Sequence, residues 1–371
     1  GWAADTQMFA PAALYLADAG SFLSKYAHDL SLSQMSKGAF TSIAPLWNFE
    51  DGELDHFGSA EGWSDAGILV PYCVWLYTGD RQTPAENWDA MERYMEHLER
   101  CGGHDWHRYG DWVSFDANDD AVKAYLSAAY VVRDARAMKE MAADLGKRDR
   151  AAHYAAFEAK ALGKLRAMTC PDVPSCWAHA AYLGLPVAKE KIVPADGTLR
   201  TGVLGTAVIL DALVKAGGTK EAYDLLLQHD CPGWLYSVDQ GATTVWERWN
   251  GYTKKDGFFK DEDQYCGSTM NSFNHYSFGA VLAWIYSTAA GIAPDPARPG
   301  FRHILLAPHP DKRLGFCKAS YRVASGTIRS EWRYDDAGVC RYRFTIPSGV
   351  TATLRLPDGR TEELAAGDYQ R

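Results

Sequence analysis

The spacing of apolar residues changes once along the chain. Over roughly the first 290 positions they recur every three to four residues, the period of helices with one buried face. In Asp120–Leu145 the apolar stripe runs through Val122, Tyr125, Leu126, Ala129 and Val132. Asp119 and Asp120 are suited to cap its start, and Gly146 to end it. Similar periodicity predicts helices over about 6–36, 64–78, 84–100, 149–168, 176–184, 200–216, 219–229 and 270–289. Loops rich in Gly, Asp and Trp separate them at 46–63, 101–118 and 232–269. Long polar-aromatic loops on a helical scaffold are where a site is usually built.

The proline-rich joint Ile292-Ala-Pro-Asp-Pro-Ala-Arg-Pro-Gly300 marks the change. Beyond it the period is two, in Lys318–Val323, Thr327–Tyr334, Val339–Ile346 and Thr351–Leu356. Turn signals at Ser325-Gly326, Asp335–Gly338, Pro347–Gly349 and Pro357–Gly359 separate these strands. The division expected is a helical domain over 1–291 and an antiparallel β-sandwich over 292–371. No short-period repeat accompanies the helix pairs.

Composition narrows the function classes. A chain of 371 residues with 47% hydrophobic content is globular. A net charge of −9 without a Lys/Arg cluster argues against a nucleic-acid partner. The longest apolar stretch, around Phe278–Ala293, is interrupted by Ser287, Thr288 and Gly291 and is too short to span a bilayer. No signal-peptide pattern follows Gly1, and the compartment is not read from the sequence. The eight cysteines are scattered without CxxC spacing, consistent with reduced, buried residues. Cys170 and Cys176 are the closest pair, and a bridge between them is left open. No zinc pattern, P-loop or GxGxxG is present, so no cofactor and no metal ligand is called.

The chain carries 13 Trp and 20 Tyr, an excess that suits a carbohydrate cleft as well as a core. In Ala242-Thr-Thr-Val-Trp-Glu-Arg-Trp249 a carboxylate, Glu247, sits between two tryptophans and beside Arg248. The cluster Met270-Asn-Ser-Phe-Asn-His-Tyr276 follows. Flat rings stack on the C–H face of a sugar, and carboxylate, imidazole and amides read its hydroxyls. A buried glutamate in an aromatic core is the other reading of the same segment.

An ordered set of motifs resembles the bacterial α-L-rhamnosidases, glycoside hydrolase family 78. Gly1-Trp-Ala-Ala-Asp-Thr-Gln-Met-Phe9 resembles the family's GWxGDAQVF. The rest of the set is Gly62-Trp-Ser-Asp-Ala66, Gly110-Asp-Trp112, Thr201-Gly-Val-Leu-Gly-Thr206, Trp234–Trp249 and Met270–Tyr276. Ala319-Ser-Tyr and Ile328-Arg-Ser-Glu-Trp extend the likeness into the β tail. The resemblance implies a mainly α fold: an (α/α)6 barrel, with its first helix expected upstream, followed by a β-sandwich. It also implies hydrolysis of terminal α-L-rhamnose with inversion, acting on a rhamnose-containing glycoside or oligosaccharide.

Inverting hydrolysis needs two carboxyls roughly 6.5–9.5 Å apart, one to protonate the leaving oxygen and one to activate water. By resemblance Glu247 is the general base. The family's general acid lies in a segment just before the motif that Gly1–Phe9 matches, so it is expected upstream of this chain. The chain alone is then expected to be weak or inactive. The resemblance assigns sugar contact to Trp2, Asp5, Trp112 and His275, with Trp63, Asp65 and Trp246 as further members. Asp5 also reads as a helix cap, the tryptophans as core, and Asn271 and Asn274 as caps or ligands. The polar loop Asn250–Thr269, with Lys254-Lys255 and Asp261-Glu-Asp263, is expected beside the leaving group. Two alternatives stand: a related helical-barrel hydrolase of other specificity, and a non-catalytic rhamnose-binding fragment.

Overall fold

The structure, a computed structural model, describes residues 1–46, 58–105, 109–259 and 271–371. Asp261–Asp263, Cys266 and Met270 lie outside the described residues. The helical part runs α1 (Ala3–Leu16), α2 (Gly20–Leu32), α3 (Ala66–Thr78), α4 (Gln82–Glu86), α5 (Trp88–Cys101) and α6 (Asp120–Asp144). It continues through α7 (Arg148–Ala167), α8 (Pro174–Tyr182), α9 (Lys189–Ile192), α10 (Val203–Lys215), α11 (Thr219–Leu226), α12 (Trp234–Asp239) and α13 (Val281–Trp284).

These helices form two layers. α1 packs on α3, α3 on α6, α6 on α8, α8 on α10, and α10 on the 3-10 turn Ser277–Ala280 and α13. That last stretch returns to α1 and closes the inner ring. Inner helices are apolar nearly all round because both of their sides are covered, as in α3, Ala-Gly-Ile-Leu-Val-Pro-Tyr-Cys-Val-Trp-Leu-Tyr-Thr. Helices outside the ring keep a polar face. α7 buries only Tyr154, Ala161 and Leu165.

Two helical boundaries differ from the periodicity. The stretch 6–36 is an antiparallel pair, α1 and α2, because Ala17 leaves the helix in an extended conformation (φ −147°, ψ 166°). The stretch 270–289 begins irregularly and becomes helical only at Ser277, ending in a π turn over Ile285–Ala289. Its first residues, 271–276, instead serve the site. The long helix α6 starts as expected: Asp119 accepts from the N–H groups of Ala121 and Val122 at 3.0 and 3.1 Å.

A short hairpin, β1 (Tyr252–Thr253) and β2 (Gly257–Phe258), lies in the loop after α12. From Ile292 the chain forms strands. β3 (Ile292–Pro294), β4 (His303–Leu306), β8 (Thr351–Arg355) and β9 (Thr361–Leu364) make one sheet in that order. β10 (Gly367–Gln370), β7 (Cys340–Ile346), β6 (Gly326–Tyr334) and β5 (Phe316–Val323) make the other. The pairing is antiparallel except between β4 and β8, which run parallel. The chain reaches β8 only after crossing the other sheet, so no hairpin constrains this pair. Inward residues of β6 tie the sheet to the barrel. The Trp332 indole donates to the Ala289 carbonyl at 2.7 Å, and Ser330 Oγ to that of Ala290 at 2.6 Å. Among the described cysteines all are free thiols, Cys170 and Cys176 included.

Candidate active site

Three loops and the start of α1 converge at one end of the inner ring. Glu247 follows α12 in a segment that pairs with 272–275. Its N–H donates to the Ser272 carbonyl at 2.9 Å, and the His275 N–H donates to the Val245 carbonyl at 2.8 Å. The Glu247 side chain is buried, 4% exposed. Its Oε2 accepts from the Ser272 N–H at 3.1 Å, and its Oε1 from the Trp112 indole at 3.2 Å. Both oxygens are thus fixed in place by hydrogen-bond donors. Arg248 turns elsewhere, its guanidinium 4.5 Å from the Phe259 ring centroid.

Trp112 is held by its neighbour. Asp111 is buried and accepts from the N–H groups of Gly202, Leu204 and Gly205 at 2.7, 2.8 and 3.0 Å. It therefore caps α10 from another loop, with Ser175 Oγ as a further donor. The Trp112 carbonyl accepts from the Val203 N–H at 2.9 Å. Both residues lie so close to Gly202 that only a glycine fits there: a Cβ would meet their carbonyl oxygens at 2.5 and 2.2 Å. Immediately after Trp112, Val113 is held at φ 58°, a left-handed conformation costly for a β-branched residue.

Three tryptophans surround Tyr109. Trp63 lies tilted 32° to it at 4.5 Å between centroids, and Trp2 meets it edge-on at 5.7 Å. Trp112 meets it edge-on at 6.5 Å. Trp2 is 40% exposed while Trp63 and Tyr109 are buried, so the cluster has an open rim over a fixed floor.

Asp5, in the first turn of α1, comes from the opposite end of the helical sequence to meet 275–277. Its Oδ1 is 3.0 Å from His275 Nε2 and accepts from Ser277 Oγ. Burial pushes the Asp5 carboxyl above the usual carboxylate range. His275 and Ser277 pull against this, and the Glu247 charge adds to it. Thr6 and Tyr276 share a hydroxyl contact of 3.1 Å beside them.

Trp2, Trp63, Trp112, Glu247, Asp5 and His275 are thus drawn to one region. Two other sequence candidates lie differently. Asp65 is fully buried beneath Trp63. It accepts from the Gly62 N–H at 2.5 Å and Tyr94 OH at 3.1 Å, and lies 2.8 Å from His104 Nε2. It offers no surface to a sugar in this structure and instead holds the Trp63 turn. Burial alone would raise the Asp65 carboxyl, but His104 outweighs it and holds it below the usual range. Trp246 packs edge-on to Phe273 at 5.1 Å, next to Glu247. Asn271 donates to the Gly251 carbonyl at 2.9 Å, which ties its loop down, and Asn274 is exposed.

Sequence reasoning passed over Tyr109, Asp111, Ser272 and Ser277. Asp111 stands in the Gly110-Asp-Trp112 motif, but nothing local shows that it caps a helix some 90 positions on. For a metal, one group among the described residues has donor atoms close enough, His97, Cys101 and Asp105. Two cations already occupy it: Lys37 Nζ is 2.7 Å from Asp105, and Arg100 is 3.3 Å from His97 Nδ1. It is an ion-pair cluster as it stands.

The sequence matches the profile of the bacterial alpha-L-rhamnosidase 6 hairpin glycosidase domain over residues 1–167 and 186–289. It belongs to the bacterial α-L-rhamnosidase family. Residues 291–370 match that family's C-terminal domain. An alpha-L-rhamnosidase of Streptomyces avermitilis is 32% identical over 96% of the chain and 35% of its own length. One of Formosa agariphila is 30% identical over 98% of the chain and 40% of its own length. The chain therefore spans little more than a third of these relatives. The crystal structure of the Streptomyces avermitilis enzyme complexed with L-rhamnose superposes over all of this chain and 38% of that one. Its TM-score is 0.88 at 30% identity. An Aspergillus terreus rhamnosidase structure, 24% identical with a TM-score of 0.87, shares the fold.

Proposed function

We propose that this chain carries the sugar site of a glycoside hydrolase that removes terminal α-L-rhamnose with inversion, and that Glu247 is its general base. The observation that carries the reading is the seating of Glu247. Trp112 and Ser272 fix its two oxygens beside an aromatic cluster and a buried Asp5–His275 pair. A general base must be ionised, oriented and within reach of one water, and two fixed donors supply the orientation. Trp2, Trp63 and Trp112 give apolar surface for the ring and C6 methyl of rhamnose. Asp5 and His275 read hydroxyls, and Asp65 supports Trp63 from below. The family resemblance assigns the general acid to the segment preceding the Gly1–Phe9 motif. Asp5 is assigned to sugar binding instead, its Oδ1 engaged by Ser277 and His275.

The test is hydrolysis of an aryl α-L-rhamnoside by a form of the protein carrying the acid-bearing segment, with the first product followed by NMR. β-Rhamnose as the initial product is expected, and α-rhamnose would overturn inversion. Glu247→Gln should lower kcat by about 10²–10⁴-fold, the usual worth of a general base. Turnover near normal would remove Glu247 from that role.

A further inference from the structure

The outward face of the β5–β6–β7 sheet carries charge that neither the fold nor the barrel site uses. Along β6 the exposed positions are Arg329 and Arg333, along β7 Arg341 and Arg343, and along β5 Lys318 and Arg322. These cations share one face with Glu331, and with Asp335 and Asp368 at its margins, while the whole chain is net −9. Lys318 pairs with Glu331 at 3.5 Å and Arg341 with Asp335 at 3.1 Å. Arg322, Arg329 and Arg343 have no ion-pair partner among the described residues.

One structural explanation falls short. Charges on an edge strand prevent sheet-to-sheet association, which accounts for Lys318 and Arg322 on β5. It does not account for arginines on β6 and β7, which are inner strands of the order β10-β7-β6-β5. Arg333 and Arg341 also stand directly opposite one another across the β6–β7 ladder. Like charges in that relation destabilise a sheet; here Asp335 offsets Arg341 and the Phe316 ring takes Arg333.

The same face offers an apolar ring. Phe316, opposite Arg333 on β5, is 53% exposed, with the Arg333 guanidinium 4.9 Å from its centroid. Phe316, Lys318, Arg333, Arg341 and Arg343 border a depression of about 370 Å³, in which Glu331 and Asp335 are the acidic members. We propose that this face binds a stretch of acidic glycan, a chain of sugars bearing carboxylate or sulfate groups. Guanidinium forks accept either anion in two-point contact. Phe316 supplies the stacking surface that a pyranose needs and an isolated anion does not. The site goes beyond the rhamnose reading of the barrel, and its binding does not depend on turnover there.

Native affinity electrophoresis tests it, with polygalacturonate, dextran sulfate or uncharged dextran in the gel and duplex DNA as a competing polyanion. Retardation by polygalacturonate or dextran sulfate, weakened by added salt, is expected, with none by uncharged dextran. Retardation by one of the two alone identifies the anion as carboxylate or sulfate. The Arg329→Ser/Arg343→Ser double variant should bind roughly tenfold more weakly. Phe316→Ala should weaken the glycan more than DNA. These positions are exposed, so thermal stability and turnover of a small aryl rhamnoside should stay at the level of the unsubstituted protein. The proposal is overturned by no retardation in either acidic glycan, by undiminished binding in the double variant, or by tighter binding of DNA than of both glycans. Failure of rhamnoside hydrolysis leaves this readout intact, so the two readings fail separately.

Discussion

The Trp112 indole N–H and Glu247 Oε1, 135 positions apart in sequence, meet at 3.2 Å. Trp112 therefore has two faces to its role: its ring belongs to the aromatic cluster around Tyr109, and its nitrogen aims the carboxylate. Trp112→Phe keeps most of the ring and removes the donor. The expected result is a fall in kcat of about 10- to 100-fold, the worth of one hydrogen bond to a charged group, with a smaller change in KM. Steady-state kinetics on an aryl α-L-rhamnoside checks this. An equal loss in KM alone would make Trp112 a binding surface only.

Gly202 is the point where the Asp111–Trp112 loop touches α10. Gly202→Ala places a methyl group against two backbone carbonyls, which cannot move as a flexible side chain would. A loss of about 1–3 kcal/mol is expected from such overpacking. Chemical denaturation measures it, and tryptophan fluorescence should report a displaced Trp112. An unchanged midpoint would mean that the loop adjusts freely.

The Asp65–His104 pair makes a pH-dependent contribution to stability. Burial opposes charge on His104, but the Asp65 charge and hydrogen bond outweigh it, so His104 protonates more readily than usual. Its contribution is fully present below the unfolded value of about 6.5 and is lost as pH rises through the folded value. Asp65, held low, contributes above about 3.9 and loses that contribution as pH falls through its folded value. The pair therefore stabilises most between about pH 4 and 6.5. The stability gap between the unsubstituted protein and His104→Asn should narrow as pH is raised beyond that window. A gap constant up to alkaline pH would exclude a charged pair.

Asp5→Asn keeps an acceptor for Ser277 but removes the charge facing His275. A drop in kcat/KM of about 10-fold or more is expected, from one charge-assisted contact. Rhamnose affinity measured by calorimetry should fall in parallel. Retained affinity with lost turnover would move Asp5 from binding to chemistry.

Much of this architecture was legible in one sequence, and the exceptions share a cause. The alternation in Thr327–Tyr334 marks β6 because one face is buried and one is wet. β3 and β4 escaped because each is short, β3 ends on Pro294, and His303–Leu306 is an apolar run without alternation. The start of α10 was misplaced over 200–202 because its cap is Asp111, far away in sequence, leaving Gly202 extended and Thr201 outside the helix. Glu247, Trp112 and His275 stand out in the sequence as members of motifs, and the fold draws them to one region. Tyr109 was not, since its importance lies in meeting Trp2, Trp63 and Trp112 only after folding. Asp65 stood in a motif too, yet sequence does not distinguish a residue that touches a ligand from one that braces its neighbour.

The hydrogen bond between Ser277 and Asp5 spans 272 positions. During synthesis at about 5–20 residues per second, Asp5 waits roughly 14–54 s for this partner. Through that interval α1 has no closing neighbour, and its apolar surface is open to chaperones or to other nascent chains. Assembly of the candidate pocket is thus a late event of barrel synthesis, and a ribosome stalled before Ser277 yields most of the helices with no pocket.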